Sequence, residues 1–181
     1  MRVDISDKKK IEELTRIDEL TGAYNRRAFN DLFQRRLNSA IRMKNVFCFI
    51  LLDIDNFKKY NDTYGHPNGD LVLKTVSQCL MNKLHRADDY CFRLGGEEFG
   101  AIFEAKTKQE ALIFAEQLRY SIENLRIDHS GNDVSDYVTA SFGMKCISEL
   151  TSDISQSSIY KETDELLYKA KENGRNQVIS R

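Results

Sequence analysis

The chain has no tryptophan, a single proline (Pro67) and nine glycines among its 181 residues. So little loop-forming composition leaves no room for long linkers and points to one domain with a proper core. No stretch of eighteen apolar residues occurs, so no helix of this sequence is built to span a membrane. Met1 to Lys10 is charged and lacks the apolar centre of a secretory signal. Neither sign of charge dominates: 27 basic residues against 28 acidic ones leave a net of −1. That balance argues against a broad nucleic-acid or anionic-membrane footprint. Cys48, Cys79, Cys91 and Cys146 are scattered through apolar stretches with no CxxC pair, and His66, His85 and His129 show no ligand spacing. Buried, reduced thiols in a cytosolic protein are expected, rather than zinc or disulfides.

What is present is a succession of apolar periods. Ile11, Leu14 and Ile17 recur at helical spacing within residues 5–17, too short a run for a coiled coil of its own. It reads as the end of a longer helix or as an amphipathic cap. A turn at Asp18–Gly22 precedes a helix predicted from about Asn25 to Met43, with Phe29, Phe33, Leu37 and Ala40 on one face. Val46 to Leu52 is continuously apolar, a central strand covered on both faces, and it ends in Asp53. Asn61 to Pro67 reads as a turn, with Pro67 opening a helix to about Leu84. Tyr90–Leu94 and Glu98–Phe103 flank Gly95-Gly96 as a hairpin. Thr107 and Glu110 form a capping pair before a helix carrying Ala111, Ala115, Leu118, Ile122 and Leu125. Residues 127–136 read as a polar loop, 137–146 as a strand and 148–158 as a serine-rich connection. Residues 161–173 read as a helix closed by Gly174, and 176–179 as a short last strand. With no internal repeat, the expected organisation is a lead at 1–17 and one domain at 18–181.

The stretch Arg93-Leu-Gly-Gly-Glu-Glu-Phe99 carries the strongest chemical signal. Glycine permits a tight turn and close approach of a ligand to the backbone. Glu97 and Glu98 at such a turn, with Asp53 at a strand end, offer carboxylate oxygens to Mg²⁺, a hard cation that also prefers phosphate. Lys58, Lys171 and Arg175 supply positive charge for a triphosphate. The same residues suit plainer work. Asp53 and Asp55 can cap helices, Lys171 and Arg175 complement a helix carboxyl end, and an acidic turn can simply be solvated. These patterns reach as far as an Mg²⁺-dependent nucleotide enzyme.

Six blocks in order go further: Asp18-Glu-Leu-Thr-Gly-Ala-Tyr-Asn-Arg-Arg27, Asp53-Ile-Asp-Asn-Phe-Lys-Lys-Tyr-Asn61, Asp62-Thr-Tyr-Gly-His-Pro-Asn-Gly-Asp70, Arg93 to Phe99, Thr139-Ala-Ser-Phe-Gly143 and Ala170-Lys-Glu-Asn-Gly-Arg-Asn176. Together they resemble the GGDEF family of diguanylate cyclases, in a GGEEF variant, over about Asp18 to Arg181. The resemblance implies an α+β fold, an α/β sandwich whose central mixed, mainly antiparallel five-stranded sheet is flanked by helices as in nucleotidyl-cyclase and polymerase palms. It implies condensation of two GTP into cyclic di-GMP and two pyrophosphates, with Mg²⁺ or Mn²⁺ as cofactor and a second copy of the domain facing the first.

Residue by residue, the resemblance gives Asp53, Glu97 and the Ile54 carbonyl as metal ligands. Glu97 also helps deprotonate the 3′-hydroxyl, and Glu98 shares in metal binding. Asn61 and Asp70 read guanine. Lys58, Lys171 and Arg175 contact phosphates, and the backbone near Phe57 and at Gly95-Gly96 cradles them. His66 lies in the same substrate loop, where a turn-stabilising role fits equally. An aspartate at position 70 favours GTP over the mixed-nucleotide variants of the family. Arg86 and Asp89 form an RxxD pair just upstream of the hairpin, the placement of a product-inhibition site. The resemblance further implies an N-terminal sensor in the full-length protein, a cytoplasmic location for this domain that is compatible with membrane tethering of the whole, and no nucleic-acid partner. The competing reading is a catalytically silent module that binds cyclic di-GMP or GTP; the intact Gly95, Gly96, Glu97 and Glu98 favour the enzyme.

Overall fold

The computed structural model of the chain describes residues 16–149, 151 and 154–181. The helix expected at 5–17 lies outside them except for its last two residues, and Ile17 there bridges Tyr24 across the Asp18–Gly22 turn. The elements in order are β1 (Tyr24–Asn25), α1 (Arg26–Arg42), β2 (Val46–Ile54), α2 (Phe57–Tyr64), α3 (His66–Lys83), β3 (Tyr90–Gly95), β4 (Glu98–Ala105), α4 (Lys108–Glu123), β5 (Ala140–Ile147), α5 (Gln156–Glu172) and β6 (Val178–Ser180). They build one sheet in the order β1-β3-β4-β2-β5-β6. The inner pairings are antiparallel and the two edge pairings parallel, so the sheet is mixed and mainly antiparallel as expected. It has six strands rather than five. The added strand is β1 at one edge, whose two residues are too few for any period to mark; β6 at the other edge overlaps the short strand expected at 176–179.

The apolar run of β2 faces two cores at once. Cys48, Ile50 and Leu52 pack with α3 and α4, while Phe47, Phe49 and Leu51 pack with α1 and α5. That alternation is the period of a strand with helices on both sides. Phe33 meets Phe29, Phe47 and Phe49 edge to face at centroid distances of 5.3, 5.2 and 5.2 Å. Each such side chain contributes roughly 1.5–3 kcal/mol by burial, and Phe49→Ala in this packing costs about 3–5 kcal/mol. Cys48, Cys91 and Cys146 are buried free thiols, and burial pushes the Cys91 thiol up to about 12.

Three local expectations need correction. Asn61 to Tyr64 is helix, not turn: α2 buries Phe57 and Tyr60 on one face, and packing outweighs weak propensity until Gly65 at φ 83° separates it from α3. Helix α5 starts at Gln156 rather than Lys161, because Ser155 and Ser158 form a reciprocal cap. Serines that read as a loop are a helix start. Thr107 does cap α4 through the Glu110 N–H, but the Glu110 carboxylate returns to the N–H of Lys106.

The topology matters most at one end. Because β4 runs antiparallel to β2, its first residue Glu98 lies directly opposite Asp53, the last charged residue of β2. The turn that opens β4 is thereby delivered to Asp53.

Candidate functional site

Asp53 is half-buried, and Lys171 Nζ of α5 approaches its Oδ1 at 3.1 Å. Burial pushes the Asp53 carboxyl up to about 6; Lys171 opposes this, while the charges of Glu97 and Asp55 reinforce it. The group is a carboxylate short of compensating positive charge. Glu98, opposite it, accepts from the Tyr160 hydroxyl at 2.8 Å. Arg26 donates to the same hydroxyl at 3.1 Å and lies over the Tyr160 ring at 5.1 Å. The turn itself uses Gly96 at φ 47°, where a side chain would be strained. Arg93 ties the turn down: Nε donates to the Gly96 carbonyl at 3.0 Å and Nη1 pairs with Asp18 at 3.1 Å. Burial works against the Asp18 charge, yet hydrogen bonds from Thr21 and Arg93 hold its carboxyl below the usual carboxylate range.

Beside the turn opens a cleft of about 450 Å³ lined by Phe57, Lys58, Asn61, Asp62, His66, Asp70, Leu73, Arg93, Gly96 and Glu97. The predicted guanine readers, Asn61 of α2 and Asp70 of α3, thus line one cleft with the glycine turn, which follows them in the chain by more than twenty residues. Asn61 Oδ1 is buried with no hydrogen-bond partner. A buried acceptor left unpaired costs about 1–3 kcal/mol, so the site fits a ligand that brings a donor. A Cβ built on Gly69 would overlap that oxygen, so only glycine lets Asn61 sit where it does. Helix α2 receives no side-chain cap, because Asn56 stands at φ 55° with its amide turned to Asn132 and Asp133 at 2.9 and 2.7 Å. The first N–H groups of α2, at Phe57 and Lys58, are thereby left for an anion.

The remaining predicted residues do not line this cleft. Asp53, Ile54 and Glu98 stand at the adjoining strand ends, and Lys171 is engaged with Asp53. Gly95 closes β3 beside them. Asp55 does not cap a helix: it is buried and accepts from Thr139 Oγ1 at 2.8 Å, Ser141 Oγ at 2.6 Å and the Asn176 N–H at 3.1 Å. Arg175 sits in a left-handed turn, and its charge acts on both Asp55 and Asp133. Among the described residues no three or more His, Cys, Asp and Glu side chains gather as a metal cage. Two carboxylates, one of them short of positive charge, with a backbone carbonyl nearby suit Mg²⁺, which keeps water and phosphate oxygens for its other positions.

Arg86 and Asp89 lie at the other end of β3, in a separate cleft of about 600 Å³ whose walls include Asn45, Asp88, Glu104, Lys106, Phe114 and Gln117. The Arg86 N–H donates to Asp89 Oδ2 at 3.2 Å, and Arg36 bridges Asp88 and Glu104 at 2.7 and 2.9 Å. Sequence reasoning missed Arg36, Asp62, Tyr160 and the Asp18–Arg93 pair. Asp18 and Arg93 both fall in the quoted blocks, so their importance was signalled although their contact was not. Tyr160 lies between the connection expected at 148–158 and the helix expected from Lys161, and carried no signal.

The profile described as "Diguanylate cyclase, GGDEF domain" matches residues 15–177. The chain is 40% identical over 165 residues to the Escherichia coli K12 protein named "Probable diguanylate cyclase DgcT", covering 91% of this chain and 35% of that protein. It is 39% identical over 173 residues to diguanylate cyclase VdcA of Vibrio cholerae, covering 94% of this chain and 48% of that protein. It therefore spans between about a third and about half the length of these relatives. Among solved structures it resembles the GGDEF domain of DgcB from Caulobacter crescentus in complex with c-di-GMP, with a TM-score of 0.79, 29% identity and coverage of 99% and 98% of the two chains.

Proposed function

Because the chain belongs to the GGDEF family of diguanylate cyclase domains, we propose that it condenses two GTP into cyclic di-GMP and two pyrophosphates. Residues 18–181 act as the catalytic domain, and residues 1–17 bring a signal from an input domain upstream. The observation that carries this reading is the cleft beside the Gly96–Glu97 turn, lined by Asp70 and by Asn61, whose buried side-chain oxygen has no hydrogen-bond partner among the described residues. Guanine has the matching polar edge: its N1–H and exocyclic amine donate to acceptors such as Asn61 Oδ1 and the Asp70 carboxylate. The N–H groups at the start of α2, with Lys58, Lys171 and Arg175, hold the phosphates. Asp53, Glu97 and the Ile54 carbonyl would hold Mg²⁺ or Mn²⁺, which when bound neutralises triphosphate charge and eases departure of pyrophosphate. Glu97 accepts the proton of the attacking 3′-hydroxyl, while Tyr160 and Arg26 keep Glu98 turned to the same end of the sheet.

One cleft holds one GTP, so each hydroxyl needs the α-phosphate held by a second copy, and two domains facing one another complete the site. The second cleft takes the product: Arg86 and Asp89 bind its phosphates and guanines, and the shared strand β3 joins that cleft to the glycine turn. The test is incubation of the protein at high concentration with GTP and Mg²⁺, with nucleotides resolved by chromatography. Cyclic di-GMP with two equivalents of pyrophosphate supports the reading. Unchanged GTP from a chain fused to a dimerising helix contradicts it and favours a silent binding module.

A further inference from the structure

Asp55 stands just beyond the strand end that carries Asp53 and makes a different set of contacts. Its Oδ2 accepts from Thr139 Oγ1 at 2.8 Å and from the Asn176 N–H at 3.1 Å, and its Oδ1 accepts from Ser141 Oγ at 2.6 Å. Its own N–H donates to the Thr139 carbonyl at 2.9 Å. One buried carboxylate thus joins the end of β2, the approach to β5 and the turn after α5.

That turn needs holding. Gly174, Arg175 and Asn176 stand at φ 107°, 61° and 44°, so two side-chain-bearing residues in succession adopt the left-handed region. Such a conformation persists only where its surroundings impose it. The Asn176 N–H is held by Asp55; on the other side its side chain accepts from Arg119 Nη1 at 2.7 Å and donates to Glu123 Oε1 at 3.0 Å. Arg175 projects from the middle of this fixed backbone. A second arm leaves Thr139: Asn132 Nδ2 donates to Thr139 Oγ1 at 3.1 Å, and Asn132 Oδ1 accepts from Asn56 at 2.9 Å. Asn56 is the left-handed residue from which α2 starts, with Phe57 and Lys58 next.

We infer that Asp55 is a positioning residue for the triphosphate, holding the Arg175 turn and the start of α2 in one hydrogen-bonded frame. This rests on the reading that both groups contact phosphate. Asparagine can keep the frame: its carbonyl takes the place of Oδ2, and its amide donates to Ser141, whose hydroxyl turns to accept. Alanine cannot, and leaves the Asn176 N–H without an acceptor.

The experiment is calorimetric titration of the whole chain with Mg²⁺ and a GTP analogue whose α–β bridge cannot be cleaved, alongside guanosine measured by competition. Asp55→Ala is expected to weaken the analogue about tenfold and guanosine not at all, the size of one misplaced charged hydrogen bond. Asp55→Asn restores most of the affinity. In an Arg175→Ala background, Asp55→Ala has a much smaller effect than alone. Asn176→Gly, which tolerates the positive φ but lacks both side-chain bonds, weakens the analogue severalfold and carries the test if Asp55→Ala does not fold. Equal loss of guanosine and analogue, equal loss in the Ala and Asn variants, or full additivity with Arg175→Ala would each overturn the inference. If the wild type fails to bind the analogue, the functional reading falls and takes this inference with it. If the wild type binds but Arg175→Ala has no effect, the phosphate assignment falls, and the inference falls while the cyclase reading stands.

Discussion

The two ends of the β3–β4 hairpin differ in how their charges are held. At the glycine turn, Arg93 is fixed by Asp18, Glu98 by Tyr160 and Asp53 by Lys171, each partner coming from a distant part of the chain. At the opposite end, of Arg86, Asp88 and Asp89, only Asp88 has such a distant partner among the described residues, Arg36 of α1 at 2.7 Å; Arg86 is exposed, and Asp89 is engaged with the Arg86 backbone three residues away. Charges fixed across the fold are preorganised, so a ligand need not order them. Exposed charges on a local turn must be ordered on binding and are screened by solvent. The first arrangement suits chemistry; the second suits a modulating ligand.

The sharpest way to break this comparison is Glu97→Gln. It is expected to lower turnover at least about a hundredfold, the scale of losing a preorganised charged group at a reacting centre. Affinity for cyclic di-GMP at the Arg86 end should not change. Pyrophosphate release and calorimetry read the two ends separately. Next in size is Gly69→Ala, whose Cβ overlaps the Asn61 acceptor. GTP affinity is expected to fall about tenfold or more, the cost of displacing one buried polar contact, with the circular dichroism of the folded chain unchanged.

Asp53 gives a pH signature. Burial raises its folded carboxyl to about 6, from the ordinary 3.8 of an exposed aspartate. Between those values the unfolded chain has released a proton that the folded chain keeps, so without metal this group lowers stability as pH rises through that window. Asp53→Asn should therefore raise the metal-free melting temperature at pH 7.5, by the equivalent of about 1–2 kcal/mol, while having little effect at pH 4. Added Mg²⁺ should stabilise the wild type more at pH 7.5 than at pH 5. The smallest effect belongs to the exposed end: Arg86→Ala is expected to raise the cyclic di-GMP concentration for half inhibition severalfold, roughly 1 kcal/mol.

Much of this was legible in the sequence because it is written in local patterns. The apolar run of β2, the phenylalanine face of α1 and the glycine turn each announce themselves within a few residues. Glu97 belongs to that turn, while Asn61 and Asp70 stood out only through the family resemblance; the fold brings all three to one cleft. What could not be read depends on partners far apart in the chain. The helical state of Asn61–Tyr64 comes from burial of Phe57 and Tyr60, and the Asp18–Arg93 pair joins residues 75 positions apart. Asp55 shows the limit best. Beside Asp53 in the same motif it reads as a helix cap, and only the approach of Thr139, Ser141 and Asn176 shows it as an internal acceptor.

The central claim is that one hairpin carries substrate chemistry at its turn and product binding at its far end. It is tested most directly by titrating wild type, Glu97→Gln and Arg86→Ala with Mg²⁺ and the uncleavable GTP analogue, and separately with cyclic di-GMP. The account predicts a double dissociation: Glu97→Gln weakens only the metal-dependent binding of the analogue, and Arg86→Ala weakens only cyclic di-GMP. Loss of both ligands in either variant, or of neither in both, would contradict it.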